Sequence, residues 1–323
     1  MLRETGIRAA SGKAMMDDGE GVPLGLRETT LDSLRSSFDL AERWDGAEGG
    51  RLRYAFAPRF VLSCTDVLLA EVVKLAKGKY LLHTHASENE NETRIVAELK
   101  GRRNVEHFED IGFLGPGTLL AHCVWLSDEE VVALARSGAR ALHCPSTNLK
   151  LGSGIAELAR LRDAGVHVSI GCDGAPANNR LDAFAEMRLA ALLAQTRSGT
   201  GSVTAREILT IMTRAGAEAL GWGDTVGALE PGFQADVVAV DLDTPHASPV
   251  RDPVTSLVYS ARASDVRHVL VAGEIRVEDG GIPGLDRREV VEEANRQARS
   301  VLDRAAEHGY DASTHSPNAG DRR

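Results

Sequence analysis

From Gly6 to about Thr213, short apolar runs alternate with amphipathic stretches. Residues 7–10, 52–57, 80–85, 118–122, 139–143 and 166–171 read as strands. Between them, residues 66–77, 92–100, 127–137, 155–164 and 181–195 read as helices. Ser127 followed by Glu130 is a capping-box signal, and Thr65 with Asp66 opens another helix. Gly138 and Gly165 follow helical runs, where a left-handed residue is wanted. Strand and helix alternating six times at this spacing predict a parallel sheet.

Five of the six runs end in, or lead directly into, a residue able to do chemistry: Arg59 after Pro58, His85, His122, His143 and Asp173. A doubly wound sheet would line such residues along one edge. A barrel would close them round a single pocket at the C-terminal strand ends, and the barrel is the expectation carried forward.

After Thr213 the texture changes. The turn-rich stretch 227–232 leads into a β run at 235–242, and a second β pair at 266–272 and 274–277 turns at Gly273. Residues 287–307 read as a charged amphipathic helix, and the Ser/Asn/Asp/Arg-rich tail from Gly309 is expected to be flexible.

With 43% hydrophobic and 26% charged residues, collagen-like and wholly disordered readings fall away. The longest uncharged apolar runs fall far short of the roughly 20 residues of a membrane span. No apolar leader follows Met1, and four cysteines without CxxC spacing point to reduced thiols and a cytoplasmic setting. The net charge of −10 argues against nucleic acid as a partner.

The richest segment is His83-Thr84-His85-Ala86-Ser87-Glu88. Residues i and i+2 of a strand share a face, so both histidines can point the same way. A histidine with a nearby carboxylate is what metal-assisted hydrolysis needs: one holds the ion, the other moves the proton. His122 and Asp173 at other strand ends strengthen that reading, since a buried imidazole or carboxylate costs free energy unless paired. His143 reads equally as structural or supporting. Cys64, Cys123, Cys144 and Cys172 read as small core residues.

These residues resemble the amidohydrolase superfamily, in its branch of purine and triazine aminohydrolases. The likeness is carried by His83 to Glu88, by Leu120-Ala121-His122-Cys123, and by His143-Cys144-Pro145-Ser146-Thr147-Asn148-Leu149-Lys150-Leu151. Gly171-Cys172-Asp173-Gly174-Ala175 and Gly227-Ala228-Leu229-Glu230-Pro231-Gly232 continue it. The resemblance implies an α/β fold, a (β/α)8 TIM-type barrel with strands 3–8 present and 1–2 missing, plus a partial C-terminal β-sandwich module. It implies one divalent metal, zinc with iron as the alternative, held by His85 and Asp173. Glu88 would be the proton shuttle, and His122 would hydrogen-bond the attacking water or the substrate. Asp173 would share the water's proton. The reaction implied is attack of a metal hydroxide on an amino-bearing purine carbon, releasing ammonia.

Which ring is taken stays open. The Asn148-Leu149-Lys150-Leu151 segment looks like the adenosine-type deaminases, acting on 5′-deoxyadenosine, methylthioadenosine or S-adenosylhomocysteine. Pro58-Arg59-Phe60 looks like the guanine deaminase pocket, although Arg59 could equally be a rim ion-pair residue. Arg59, Phe60, His122 and Asn148 are the expected substrate contacts. A small amino-purine is the expected partner, with no membrane, and a homo-oligomer is left open because such barrels commonly pair.

The family's first-strand HxH has no counterpart ahead of His83. The expectation is an N-terminally truncated chain, with a catalytically incomplete remnant or a triazine or cytosine hydrolase as alternatives. A His83-x-His85 pair joining His122 and Asp173 around the ion is a further, weaker alternative. The expected organisation is a partial barrel over 1–212, a partial β module over 213–285, a helix over 286–308 and the tail over 309–323.

Overall fold

A computed structural model of the chain describes residues 2–19, 22–76 and 78–307; the tail expected to be flexible, 309–323, lies outside them. One parallel sheet contains β1 (Ala9–Ser11), β2 (Ala14–Met15), β3 (Leu52–Pro58), β4 (Leu81–Ala86), β5 (Thr118–His122), β6 (Arg140–His143) and β7 (His167–Ile170). Its order is β1-β3-β4-β5-β6-β7, and β2 also pairs with β3. Every pairing is parallel, so all strand C-termini lie at one edge. This is the strand order of a TIM-type barrel wall, and among the described residues it does not close on itself.

The helices follow from caps and apolar spacing. Helix Asp128–Ser137 begins at Ser127, whose hydroxyl accepts from Glu130 N while the Glu130 carboxylate accepts from Ser127 N, and it ends at left-handed Gly138. Helix Glu90–Lys100 is capped by Asn89, whose side chain accepts from Glu92 N. The helix layer packs on the sheet through Phe56, Leu68, Leu69, Phe108, Phe113, Leu120, Leu134 and Ile208, all essentially fully buried. Burial of this kind contributes roughly 1.5–3 kcal/mol per large side chain.

Helix Thr30–Trp44, between β2 and β3, has no counterpart in the sequence expectation; Thr29 caps it. A three-stranded antiparallel sheet, ordered β10-β9-β8, follows the barrel wall, with β8 Val237–Val240, β9 Val266–Val271 and β10 Glu274–Val277. The chain divides into two compact units, Met1–Gly280 and a second that begins at Gly281. The second contains the charged helix Arg287–Glu307, none of whose residues is buried. Among the described residues no helix is long and apolar enough to cross a membrane.

Candidate active site

β4 alternates as a strand must. Leu82 and Ala86 join the main core under the helices, whereas Leu81 packs in a second cluster with Ala55, Leu119 and Ala219. His83 and His85 share the side of Leu81, away from the main core. His85 Nδ1 lies 2.7 Å from the Arg59 carbonyl oxygen. That oxygen can only accept, so Nδ1 carries the proton and Nε2 keeps its lone pair for a ligand. The same carbonyl accepts from the His85 amide at 3.0 Å and the Thr84 hydroxyl at 3.2 Å, fixing the β3 end against β4. The Arg59 side chain is exposed, and its guanidinium stands 5.1 Å from the Phe60 ring.

His122 is aimed by its backbone. It pairs in register with Ala86 and shares the alternation of Leu120, so a regular strand would send it into the core under the helices. Instead its φ is +76°, followed by Cys123 at +49°, and the ring meets His85 at 5.3 Å between centroids. His122 Nδ1 donates to Asn148 Oδ1 at 2.8 Å, which leaves Nε2 facing Glu88 Oε2 at 3.7 Å. Asn148, expected to contact substrate, is buried and stands against His122.

Glu88 follows Ser87, whose φ of +51° turns the chain out of β4. Its amide donates to Glu92 Oε2 at 2.8 Å, and Asn104 donates to the other oxygen of Glu92 at 2.6 Å. Burial pushes the Glu92 carboxyl above its ordinary value. The Glu88 carboxylate accepts from Ser153 Oγ at 3.2 Å. Neither Glu92, read only as the start of a helix, nor Ser153 figures among the expected site residues. The spacing of Asn89 to Glu92 is a helix-start signal that could have found the first, and nothing in the sequence marks the second.

Asp173 lies three residues beyond β7 with φ +61°; its Oδ1 accepts from Gly174 N at 2.6 Å, and the residue is exposed. His143 has the alternation of Ala141, which belongs to the core under the helices. It is buried, and burial followed by the neighbouring His122 lowers it to about 4. Burial, then the charge of His85, likewise lowers His83 to about 4, and burial lowers His85 ahead of His122. The four cysteines are free thiols; burial pushes Cys64 up to about 11 and Cys144 up to about 12.

A structural zinc site takes four protein donors and a catalytic one three. Among the described residues no three His, Cys, Asp or Glu side chains stand together closely enough to hold a metal. The arrangement of His83, His85, His122 and Asp173 round one ion is therefore not formed. The His83 and His85 rings are 5.9 Å apart, and His122 Nδ1 is already spent on Asn148. His85 is prepared as a single donor, and the set as it stands is incomplete.

The Amidohydrolase family matches residues 2–276. A 5′-deoxyadenosine deaminase of Methanosarcina mazei is 37% identical over 305 residues, covering 94% of this chain and 69% of the relative. A 5-methylthioadenosine/S-adenosylhomocysteine deaminase of Haloarcula marismortui is 36% identical over 306 residues, again 94% of this chain and 69% of the relative. Among solved structures, an adenosine deaminase from Xanthomonas campestris with bound zinc superposes with a TM-score of 0.88 at 29% identity, over 94% of this chain and 68% of that one.

Proposed function

Because the chain belongs to the amidohydrolase family and is a hydrolase acting on C–N bonds, we propose that it deaminates an amino-purine of the adenosine type. The candidates are 5′-deoxyadenosine, methylthioadenosine and S-adenosylhomocysteine. The names of its relatives support that choice. The observation that carries the chemistry is Glu88 facing His122 Nε2 across 3.7 Å, beside a His85 whose Nε2 is free.

In the proposed reaction a C–O bond to water forms at the amino-bearing ring carbon, and the C–N bond breaks. Glu88 takes a proton from the water and returns it to the departing amine. His122 hydrogen-bonds the water or the ring through Nε2, and Asp173 shares the water's proton. Arg59 and Phe60 flank the base. Zinc in a similar structure supports one divalent metal here, zinc with iron as the alternative, with His85 and Asp173 as its donors from this chain. When bound, such an ion supplies Lewis-acid activation of the water. A cytoplasmic setting is part of the same proposal.

The test is ammonia release from the purified chain, with and without added zinc, across those nucleosides, guanine, cytosine and an aminotriazine. Turnover confined to the adenosine-type compounds supports the proposal. Turnover of guanine alone would point to Arg59 and Phe60 as a guanine pocket. No turnover on any ring, with zinc present, would mark a catalytically incomplete chain.

A further inference from the structure

We propose that Ser153 is a positioning residue for the Glu88 carboxylate, and that residues 148–154 align Glu88 and His122 as one unit. The inference rests on the reading of Glu88 as the proton shuttle. Four contacts form a closed circuit. His122 Nε2 faces Glu88 Oε2 at 3.7 Å, and Ser153 Oγ donates to Glu88 Oε1 at 3.2 Å. Ser153 N donates to Asn148 O at 2.8 Å, and His122 Nδ1 donates to Asn148 Oδ1 at 2.8 Å. One short segment thus holds the imidazole from behind with Asn148 and the carboxylate from the side with Ser153.

The segment is itself anchored. Ser153 is 4% exposed, and its carbonyl accepts from the Trp125 indole at 2.6 Å. Gly154, at φ +122°, lies against Trp125 and Val124; a Cβ there would stand 3.0 Å from Val124 Cγ1 and 3.4 Å from the indole nitrogen. Only glycine lets the turn approach that closely. A glutamate has three side-chain torsions, and an unheld carboxylate would spread over several rotamers. The Ser153 hydroxyl selects the one in which Oε2 faces His122, which is what proton transfer at a fixed site requires.

Steady-state deamination of 5′-deoxyadenosine by wild type, Ser153→Ala and Ser153→Thr, with crystal structures of wild type and Ser153→Ala, tests this. The alanine variant should lose kcat by about 10- to 100-fold with KM changed by less than about twofold, and threonine, which keeps the hydroxyl, should restore most of it. A Ser153→Ala kcat within about twofold of wild type overturns the proposal. If the wild type does not turn 5′-deoxyadenosine over, that substrate is not taken, and the crystal structures still decide this proposal. A Glu88 carboxylate that leaves its place in Ser153→Ala supports it, and one that stays overturns it.

Discussion

Arg8 and Asp236, 228 residues apart, form a two-point ion pair, with Nε to Oδ2 at 2.6 Å and Nη2 to Oδ1 at 2.9 Å. The pair ties the entry to β1 to the segment before β8. Gln234 accepts from the same guanidinium at 2.6 Å, and Ala272 N donates to Asp236 at 2.8 Å. The Arg8 side chain is 8% exposed. Burial alone would raise the Asp236 carboxyl, but the bonds from Arg8 and Ala272 outweigh it and hold it below its ordinary value. Asp236→Asn should therefore cost about 2–4 kcal/mol, since it leaves a nearly buried cation short of a counter-charge. Urea unfolding at neutral pH reads the loss; an unchanged midpoint would remove the pair from the fold's supports.

Glu88→Gln keeps the shape and the bond from Ser153 but cannot carry the proton. Its kcat for an adenosine-type nucleoside should fall by at least about 100-fold. Circular dichroism should match wild type, so that lost activity with lost structure would count against the assignment.

Asn148→Ala removes the acceptor of His122 Nδ1, freeing the ring to turn and leaving a buried N–H without a partner. Stability should drop by about 1–3 kcal/mol, and activity by about 10- to 100-fold. Calorimetry and turnover measured on the same sample test the two together, and a variant that loses neither would show that His122 is held by something else.

His143 supplies a pH dependence. In the unfolded chain it takes a proton near pH 6.5, whereas in the folded chain burial delays uptake to about 4. The contribution to stability is complete above the unfolded value and is lost as pH falls between the two, levelling off below the folded one. Between pH 7.5 and 5 the histidine should cost on the order of 2 kcal/mol, and His143→Gln should flatten the decline by that amount. His83 acts in the same direction, so part of the slope will remain. Equal slopes for wild type and variant would contradict the buried neutral state.

The strands that carry the site were legible because polar residues stop apolar runs. His85 and His122 lie in the last two residues of their strands, whereas Asp173 falls three past its own, which is shorter than the run 166–171 read from the sequence. Helix Thr30–Trp44 was legible in principle, since Leu34, Phe38 and Ala41 recur at helical spacing and pack against the core, but the sequence expectation placed no element between the first two strands. β2 is two residues long, shorter than any period can register. The aim of His122 depends on a positive φ that its residue type does not announce. Ser153 meets Glu88 across 65 positions, a pairing that only the folded topology creates.

Ser87, His122, Cys123 and Asp173 all sit in the left-handed region without being glycine. Each such residue costs of order 1–2 kcal/mol. The rim therefore subtracts from the stability that the helix layer supplies. A selection for heat resistance alone would be expected to gather glycines at these four places, and its survivors would be tougher and chemically blunted.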